Sequence, residues 1–327
     1  MSRYSDPSLA ENAIRLYCRG PVRTARFSTV NAVDISVVIP VRNGAAFISK
    51  QLEALVNQET WASFEVIVAD NGSTDQTVAI AQQFLLEDPR VRVADASRGP
   101  GANVARNVGI NLSRGQYVLL TDADDVVHPG WIQAYWQAFL DGADTAGGGL
   151  NRVLADGTVL SRESKLYRSQ VGGAVYANAT NCGFARRVFD AVGGFDEKLI
   201  GTADEVEFFC RTQRAGYQMR LVPAAVVDKL QHTDLSTAFD QYFNFGRGET
   251  ILAQKFRPRL LAAGVVVVAI QTAIWGALWA TVGRAARFRR ITVQRFAFNM
   301  GMLVQAARSL SNRAEHAESQ ARKAIPN

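Results

Sequence analysis

Residues 117–125 read Tyr-Val-Leu-Leu-Thr-Asp-Ala-Asp-Asp, a run of five apolar or β-branched residues that passes straight into an acidic turn. The run has the length of a buried strand, and the carboxylates begin where it stops. Toward the N-terminus the same alternation recurs. Asn103 to Leu112 has helical spacing and follows the strand-like run Val91 to Ala94. Thr77 to Leu86 is helical and follows Val66 to Ala69, itself preceded by Phe64 and Glu65. Phe47, Ile48, Leu52, Leu55 and Val56 recur at helical spacing behind the β-branched run Ile35 to Ile39, which Pro40 ends. Strand, helix, strand in this order predicts an α/β fold with a parallel sheet and right-handed crossovers. Such sheets bind ligands beyond the carboxyl ends of their strands. Pro40 to Asn43, Asp70 to Asp75 and Asp122 to Asp125 all stand at those ends, so three polar clusters distant in sequence are expected on one rim.

Beyond the acidic turn the pattern loosens. Gly147 to Gly149, Gly172-Gly173 and Gly193-Gly194 punctuate short runs, while Phe184 to Val192 and Glu205 to Ala215 read as helices. Leu260 to Gly283 is different: 24 residues without a charge, 18 of them hydrophobic, bounded by Arg259 and Arg284. That is long enough for a bilayer span of ~20 residues, the other reading being a fully buried core helix. Cations flank it on both sides, at Lys255, Arg257 and Arg259 and then at Arg284, Arg287, Arg289, Arg290 and Arg295. A single crossing from a cytosolic body would put the larger cluster outside, against the positive-inside tendency. A re-entrant hairpin, or an interfacial position shared with the amphipathic stretch Ile291 to Ala307, avoids that conflict.

The 327 residues carry a formal net charge of +6, unevenly placed. Residues 1–254 hold 24 Lys and Arg against 28 Asp and Glu, whereas residues 255–327 hold 12 against 2. A mildly acidic body excludes nucleic acid held in a basic groove, and an Arg-rich tail beside an apolar run suits an anionic membrane face. Cys18, Cys182 and Cys210 are odd in number and widely spaced, as in a reducing compartment. Charges at Arg3, Asp6, Glu11, Arg15 and Arg19 leave no room for a secretory h-region, so a cytosolic body is expected. The expected organisation is an N-terminal extension over 1–33, a catalytic domain over 34–254, and a basic C-terminal region over 255–327 with an apolar helix at 260–283.

Four groups of residues could carry chemistry. Asp122, Asp124 and Asp125 offer carboxylates at a strand end that can share one hard cation and leave sites for water and phosphate, although acidic turns are also ordinary surface features. Asp70-Asn71-Gly72-Ser73-Thr74-Asp75 is either a turn with an N-cap, or a site where Asp70 accepts hydrogen bonds from a nucleobase N–H. Arg98-Gly99-Pro100-Gly101-Ala102-Asn103-Val104-Ala105-Arg106 departs from G-x-G-x-x-G at Val104, yet a glycine-rich loop leading into a helix with Arg106 still suits a diphosphate. Asp204-Glu205-Val206-Glu207 opens a helix, where acidic residues complement the dipole or supply a carboxylate base.

In combination these motifs resemble the family 2 inverting glycosyltransferases of GT-A type, over roughly residues 34–250. SVVIPVRN (36–43) is similar to the family's S-V-V-I-P-x-Y-N, with Arg42 for the tyrosine. ADNGSTDQT resembles D-D-G-S-T-D-x-T, GANVARNVGI resembles G-x-x-x-A-R-N-x-G, and LLTDADD resembles the stretch with the metal-binding D-x-D. GFARRVFDAVGGFDE is followed by Asp204-Glu205-Val206-Glu207 where the family has E-D-x-D, and Phe245-Gly246-Arg247-Gly248 resembles its G-R-G. The Q-x-x-R-W motif of processive synthases is absent, which implies transfer of one residue per event.

The resemblance implies a Rossmann-like mixed sheet flanked by helices, to which the apolar run adds a helical, membrane-associated C-terminal segment. It places Pro40, Val41, Asn43, Asp70, Gly101, Arg106 and Asp122 at the donor nucleotide, and Asp124 with Asp122 at Mg²⁺ or Mn²⁺, a shell His232 can complete. Glu205 or Asp204 falls at the catalytic base, and Asn181 and Arg247 at the acceptor or sugar side. The implied partners are a nucleoside-diphosphate sugar and a saccharide or lipid-linked acceptor at the cytoplasmic face of the cell membrane. Two other readings remain open from the residues: a nucleotidyltransferase acting on a sugar phosphate, which needs a Lys/Arg loop near the first strand, and a non-catalytic nucleotide-sugar-binding protein.

Overall fold

The computed structural model describes residues 33–169, 173–231, 235–256, 261–282 and 286–323, with the side chains of 267–278, 290–309 and 311 in the last two segments. All of them lie in one unit, Val33–Asn327. The first half alternates as the periodicity predicts: β1 (Ile35–Val41), α1 (Ile48–Val56), β2 (Phe64–Asp70), α2 (Thr77–Glu87), β3 (Val91–Asp95), α3 (Ala102–Leu112) and β4 (Tyr117–Leu120). The second half adds β5 (Val126–Val127), α4 (Trp131–Leu140), β6 (Thr145–Val153), β7 (Val159–Glu163), and the pair β8 (Tyr167–Arg168) and β9 (Val175–Tyr176). It continues with β10 (Cys182–Ala185), α5 (Arg186–Val192), α6 (Asp204–Arg214), β11 (Met219–Leu230), α7 (Leu235–Phe256), α8 (Leu261–Val282) and α9 (Ala286–Lys323).

The main sheet runs β3-β2-β1-β4-β10-β6-β11-β5, with β7 on β6. Its first four strands are parallel, and β10 then enters antiparallel to both β4 and β6. Ile35, Val37 and Ile39 pack with Val66 and Val68 beneath α1, α2 and α4, while Val38, Ile67 and Leu120 meet Phe184, Phe208 and Phe209 on the other face. Burial on both faces is why the first strand reads as an unbroken apolar run, each fully buried aliphatic contributing about 1.5–3 kcal/mol. Register sets the rim: Val41 lies beside Asp70, Asp70 beside Asp95, and Leu120 beside Val38, which brings Asp122 level with the end of β1.

Two expectations change. Gly147 to Gly149 are interior to β6, because a Cβ at Gly147 would collide with Ala177 and one at Gly148 with the Ala225 carbonyl and Asn181; the glycines permit close approach rather than a turn. Phe184 and Ala185, expected in a helix, end β10.

The apolar run expected over 260–283 is helix α8. Among the described residues no helix is long and apolar enough to cross a membrane, so the expected bilayer-spanning segment is not supported. Val267, Ile270, Ile274 and Leu278 are exposed along it, and Gly276 packs on Phe296 of α9. The expected boundary at 254 falls within the last turn of α7, which α9 crosses at very short range: a Cβ on Gly246 would collide with the Phe298 carbonyl, and one on Gly301 with that of Phe243.

Candidate active site

Three loops are knit together at the rim. Asn43 takes a left-handed backbone (φ 56°), and its Oδ1 accepts from the Thr74 amide at 2.8 Å while its own amide donates to Ser73 Oγ at 2.8 Å. Asn71 donates to the carbonyls of Ala96 and Gly99 (2.7 and 2.8 Å) and accepts from the Gly101 amide (2.9 Å), fastening the glycine-rich loop to the end of β2. Gly101, at φ 117°, starts α3. Asp70 is buried and accepts from the amides of Gly72 and Ser73, at 3.2 and 3.1 Å, so the turn reading of this cluster holds within the loop while the carboxylate keeps further acceptor capacity. Pro40 and Val41 close β1 beside it.

The acidic turn is gathered: one carboxylate oxygen from each of Asp122, Asp124 and Asp125 lies within 4.8 Å of the others. Gln51, fully buried on α1, donates to Thr121 Oγ1 (2.8 Å) and the Asp122 carbonyl (3.2 Å) and accepts from the Val127 amide (3.1 Å), which fixes both ends of the turn. Asp125 is buried, accepting from Thr180 Oγ1 and from the Leu230 amide at 3.0 Å. Burial pushes its pKa up to about 7 against the pull of Lys229, with Asp122 and Asp124 adding to the rise. Lys229, at the end of β11, places its Nζ 3.5 Å from Asp125 and 3.8 Å from Asp122. Neither Gln51 nor Lys229 figured among the expected site residues; for Gln51 a signal existed, a polar residue three positions after Ile48 on the apolar face of its helix.

Arg106 joins this turn to the start of α6. It is 5% exposed, with one terminal nitrogen 3.3 Å from Asp204 and the other 3.8 Å from Asp122. Its Nε is buried without a partner. Asp204 also accepts from the Thr202 amide at 3.2 Å. Burial lifts its pKa to about 7, Arg106 opposing and Glu205 reinforcing. Glu205 is partly buried; desolvation raises its pKa, Arg106 and Lys229 work against the rise, and Asp122 adds to it. Ala203, left-handed at φ 54°, aims this helix start, and a Cβ on Gly248 of α7 would collide with Thr202.

A cavity of about 340 Å³ opens beside the turn, with Asp124, Lys229 and Gln231 on one side and Thr237, Asp240, Gln241 and Asn244 of α7 on the other. The four α7 residues have helical i, i+3, i+4, i+7 spacing and form one polar face. Arg247 is half-buried one turn on, donating to Asn244 Oδ1 at 3.2 Å, with its Nε buried and unpartnered. Asn181 is not at this surface. It is 1% exposed, accepts from Trp131 Nε1 and Tyr135 Oη (2.8 Å each) and donates to the carbonyls of Gly149 and Ala225 (2.7 and 2.9 Å), so its capacity is spent inside the core. That corrects its expected place on the acceptor side. His232 lies outside the described residues.

The mixed sheet flanked by helices is GT-A-like. It is similar to that of the mannosyltransferase PcManGT from Pyrobaculum calidifontis, solved in complex with GDP-Man and Mn²⁺, with a TM-score of 0.57 and 17% identity over 92% of this chain and 94% of that one. In sequence the chain is 31% identical to the glycosyltransferase AglE of Haloferax volcanii over 192 residues, 57% of this chain and 63% of AglE. It is 28% identical to the succinoglycan biosynthesis protein ExoA of Rhizobium meliloti over 258 residues, 75% of this chain and 78% of ExoA. The chain spans only part of the length of the other curated relatives it matches, from 72% of one down to 12% of another. Residues 36–194, which contain nearly all of β1, the three rim loops and the acidic turn, match the family described as Glycosyl transferase family 2, and this region of the chain is a domain of that family.

Proposed function

We propose that this chain is a metal-dependent inverting glycosyltransferase. It moves one sugar from a nucleoside-diphosphate donor to a hydroxyl or phosphate of a saccharide or lipid-linked acceptor in cell-envelope or polysaccharide synthesis. One observation carries the reading: Arg106 bridges Asp122 of the acidic turn and Asp204 of the helix start that bears Glu205, so donor-side and base-side carboxylates share a single rim. The name of ExoA and the GDP-Man and Mn²⁺ of PcManGT agree with it.

The donor set of the turn is all carboxylate oxygen, which Mg²⁺ and Mn²⁺ accept, so the residues present fit the ion the family implies. Asp124 and Asp122 would hold it, and when bound it offsets the negative charge that develops on the leaving diphosphate. The chain's own residues do the rest. Asp70 accepts from the nucleobase, with Pro40, Val41 and Asn43 shaping the pocket floor, while Gly101 lets the backbone approach the diphosphate. Arg106 fixes the carboxylates on either side of it. Glu205 takes the proton of the acceptor hydroxyl as that oxygen attacks the anomeric carbon opposite the leaving group, which inverts the configuration without a covalent intermediate. The polar face of α7 offers donors and acceptors suited to a hydroxyl-rich acceptor. The nucleotidyltransferase alternative requires cations in the loop after β1, where Arg42 alone stands.

We place the enzyme at the cytoplasmic face of the membrane, held by surface contact rather than by a span. The exposed Val267, Ile270, Ile274 and Leu278 support this, as does the excess of basic residues beyond 254.

The test is donor binding and hydrolysis by the full-length chain across UDP-, dTDP- and GDP-sugars with Mn²⁺, Mg²⁺ or EDTA. Metal-dependent recognition of one donor class, weakened by Asp124→Ala, is the expected result; no binding under any condition would sink the assignment.

A further inference from the structure

Lys229 is a cation set among the carboxylates that the proposed metal would use. Its Nζ lies 3.5 Å from Asp125 and 3.8 Å from Asp122, farther than the ~2.7–2.9 Å of a charge-assisted hydrogen bond, so it stands between the two rather than docking on either. Its side chain is 19% exposed, and the open side is the cavity it lines with Asp124. Burial alone would favour the neutral amine, but Asp125, Asp122 and Asp124 outweigh it and keep the ammonium charged. The backbone holds the arrangement: the Leu230 amide bonds Asp125 at 3.0 Å, and β11 pairs with β5 directly after the turn, Asp228 beside Val126. Among the described residues the other charges near it include Glu205 from α6, Asp240 of α7 on the cavity wall and, beyond Asp122, Arg106 from α3.

An ammonium at this point and a divalent cation on the Asp122 and Asp124 carboxylates repel each other. The lysine stem is flexible, and the cavity is the direction left to it. We propose that Lys229 is an internal counter-ion that holds the acidic turn together without metal, weakens the binding of a divalent cation alone, and turns to the diphosphate oxygens when metal and donor arrive together. Metal and diphosphate then bind as a cooperating pair, since each removes the other's electrostatic penalty. This rests on the metal-dependent reading above.

The experiment titrates Mn²⁺ into the full-length chain by electron paramagnetic resonance, with and without inorganic pyrophosphate, for the parent, Lys229→Met and Lys229→Arg, with folding checked by circular dichroism. In the parent, pyrophosphate tightens Mn²⁺ binding. In Lys229→Met, Mn²⁺ alone binds on the order of tenfold tighter than in the parent and the gain from pyrophosphate shrinks, the span expected when two ligands are coupled through one site. Lys229→Arg keeps both parental properties. Mn²⁺ binding equal or weaker in folded Lys229→Met overturns the assignment, as does a parent whose Mn²⁺ affinity ignores pyrophosphate, a result that needs no variant to fold. Absence of Mn²⁺ binding to every protein overturns the metal reading and the role of Lys229 with it.

Discussion

Arg106 and Asp204 form an ion pair at 3.3 Å across 98 positions of sequence, and the same guanidinium lies 3.8 Å from Asp122. The planar fork suits this double duty, since two terminal nitrogens serve two carboxylates on different elements. Arg106→Lys can satisfy one carboxylate only. Its kcat/KM is expected to fall about a hundredfold through misplacement of the rim, with a near-parental melting curve. Arg106→Ala leaves Asp204 buried without its cation and is expected to cost about 3–5 kcal/mol in urea unfolding. Parental kinetics in the lysine variant would show that the bridge has no part in turnover.

Glu205 and Asp204 should separate in kinetics. Glu205→Gln is expected to lose turnover by about 10²–10⁴-fold while keeping donor affinity, because it removes a proton acceptor and not a binding charge. Since desolvation raises its pKa above the ordinary value of 4.5, the acid limb of kcat/KM should lie at higher pH than an exposed glutamate would give. The sign follows from the base being active when ionised: a raised pKa means activity is lost earlier as pH falls. Arg106 opposes the rise, so Arg106→Met moves that limb to still higher pH. A limb unmoved in Arg106→Met points to another base.

Asn181→Ala tests the correction made at that residue. The variant orphans Trp131 Nε1, Tyr135 Oη and two carbonyls, and a loss of about 3 kcal/mol is expected from denaturant unfolding. At a temperature where it remains folded, its acceptor KM should match the parent. A raised KM with unchanged stability would return Asn181 to the acceptor side.

Gly248→Ala tests the seat of the proposed base. The new methyl collides with Thr202, whose hydroxyl donates to the Asn244 carbonyl. A modest loss of about 1–3 kcal/mol is expected from overpacking. Turnover should fall further than that loss explains, because the loop that moves leads directly into Glu205. The comparison is kcat against melting temperature for Gly248→Ala and for Gly142→Ala, where a Cβ meets nothing within 4 Å and the cost comes from the left-handed backbone (φ 88°) alone.

The first half of the fold was legible in sequence because each strand and helix there carries its own period, and because the polar clusters sit where parallel strands must end. That reasoning brought Asp70 and Asp122 to one rim, whereas Asp204 and Glu205 were read from the acidic opening of a helix. Residues 145–230 were legible only in their helices, Arg186–Val192 and Asp204–Arg214, since β6, β10 and β11 gain their identity from pairing with distant strands. Glycine in Gly147 to Gly149 signals a turn in sequence, yet here it answers to Ala177 and Ala225 across the sheet. Lys229 was invisible for the same reason: a lysine at a strand end reads as solvated, and only the β11–β5 pairing brings it to Asp125. Asn181 shows the opposite failure, where family position suggested a ligand contact and local packing had already used every polar atom.

The crossing of Gly246 and Gly301 has a practical consequence. Backbone rests on backbone there, so α9 leaves α7 little freedom to shift alone, and α7 carries the polar wall of the cavity, Arg247, and the rest for the loop before Glu205. A chain cut after 254 would shed more than the proposed attachment: it would strip the outer brace from the half of the cleft proposed to receive the acceptor. Removal of the tail therefore cannot report on tethering by itself, since the same cut unseats, through two glycines, the helix that forms the polar wall of the cavity.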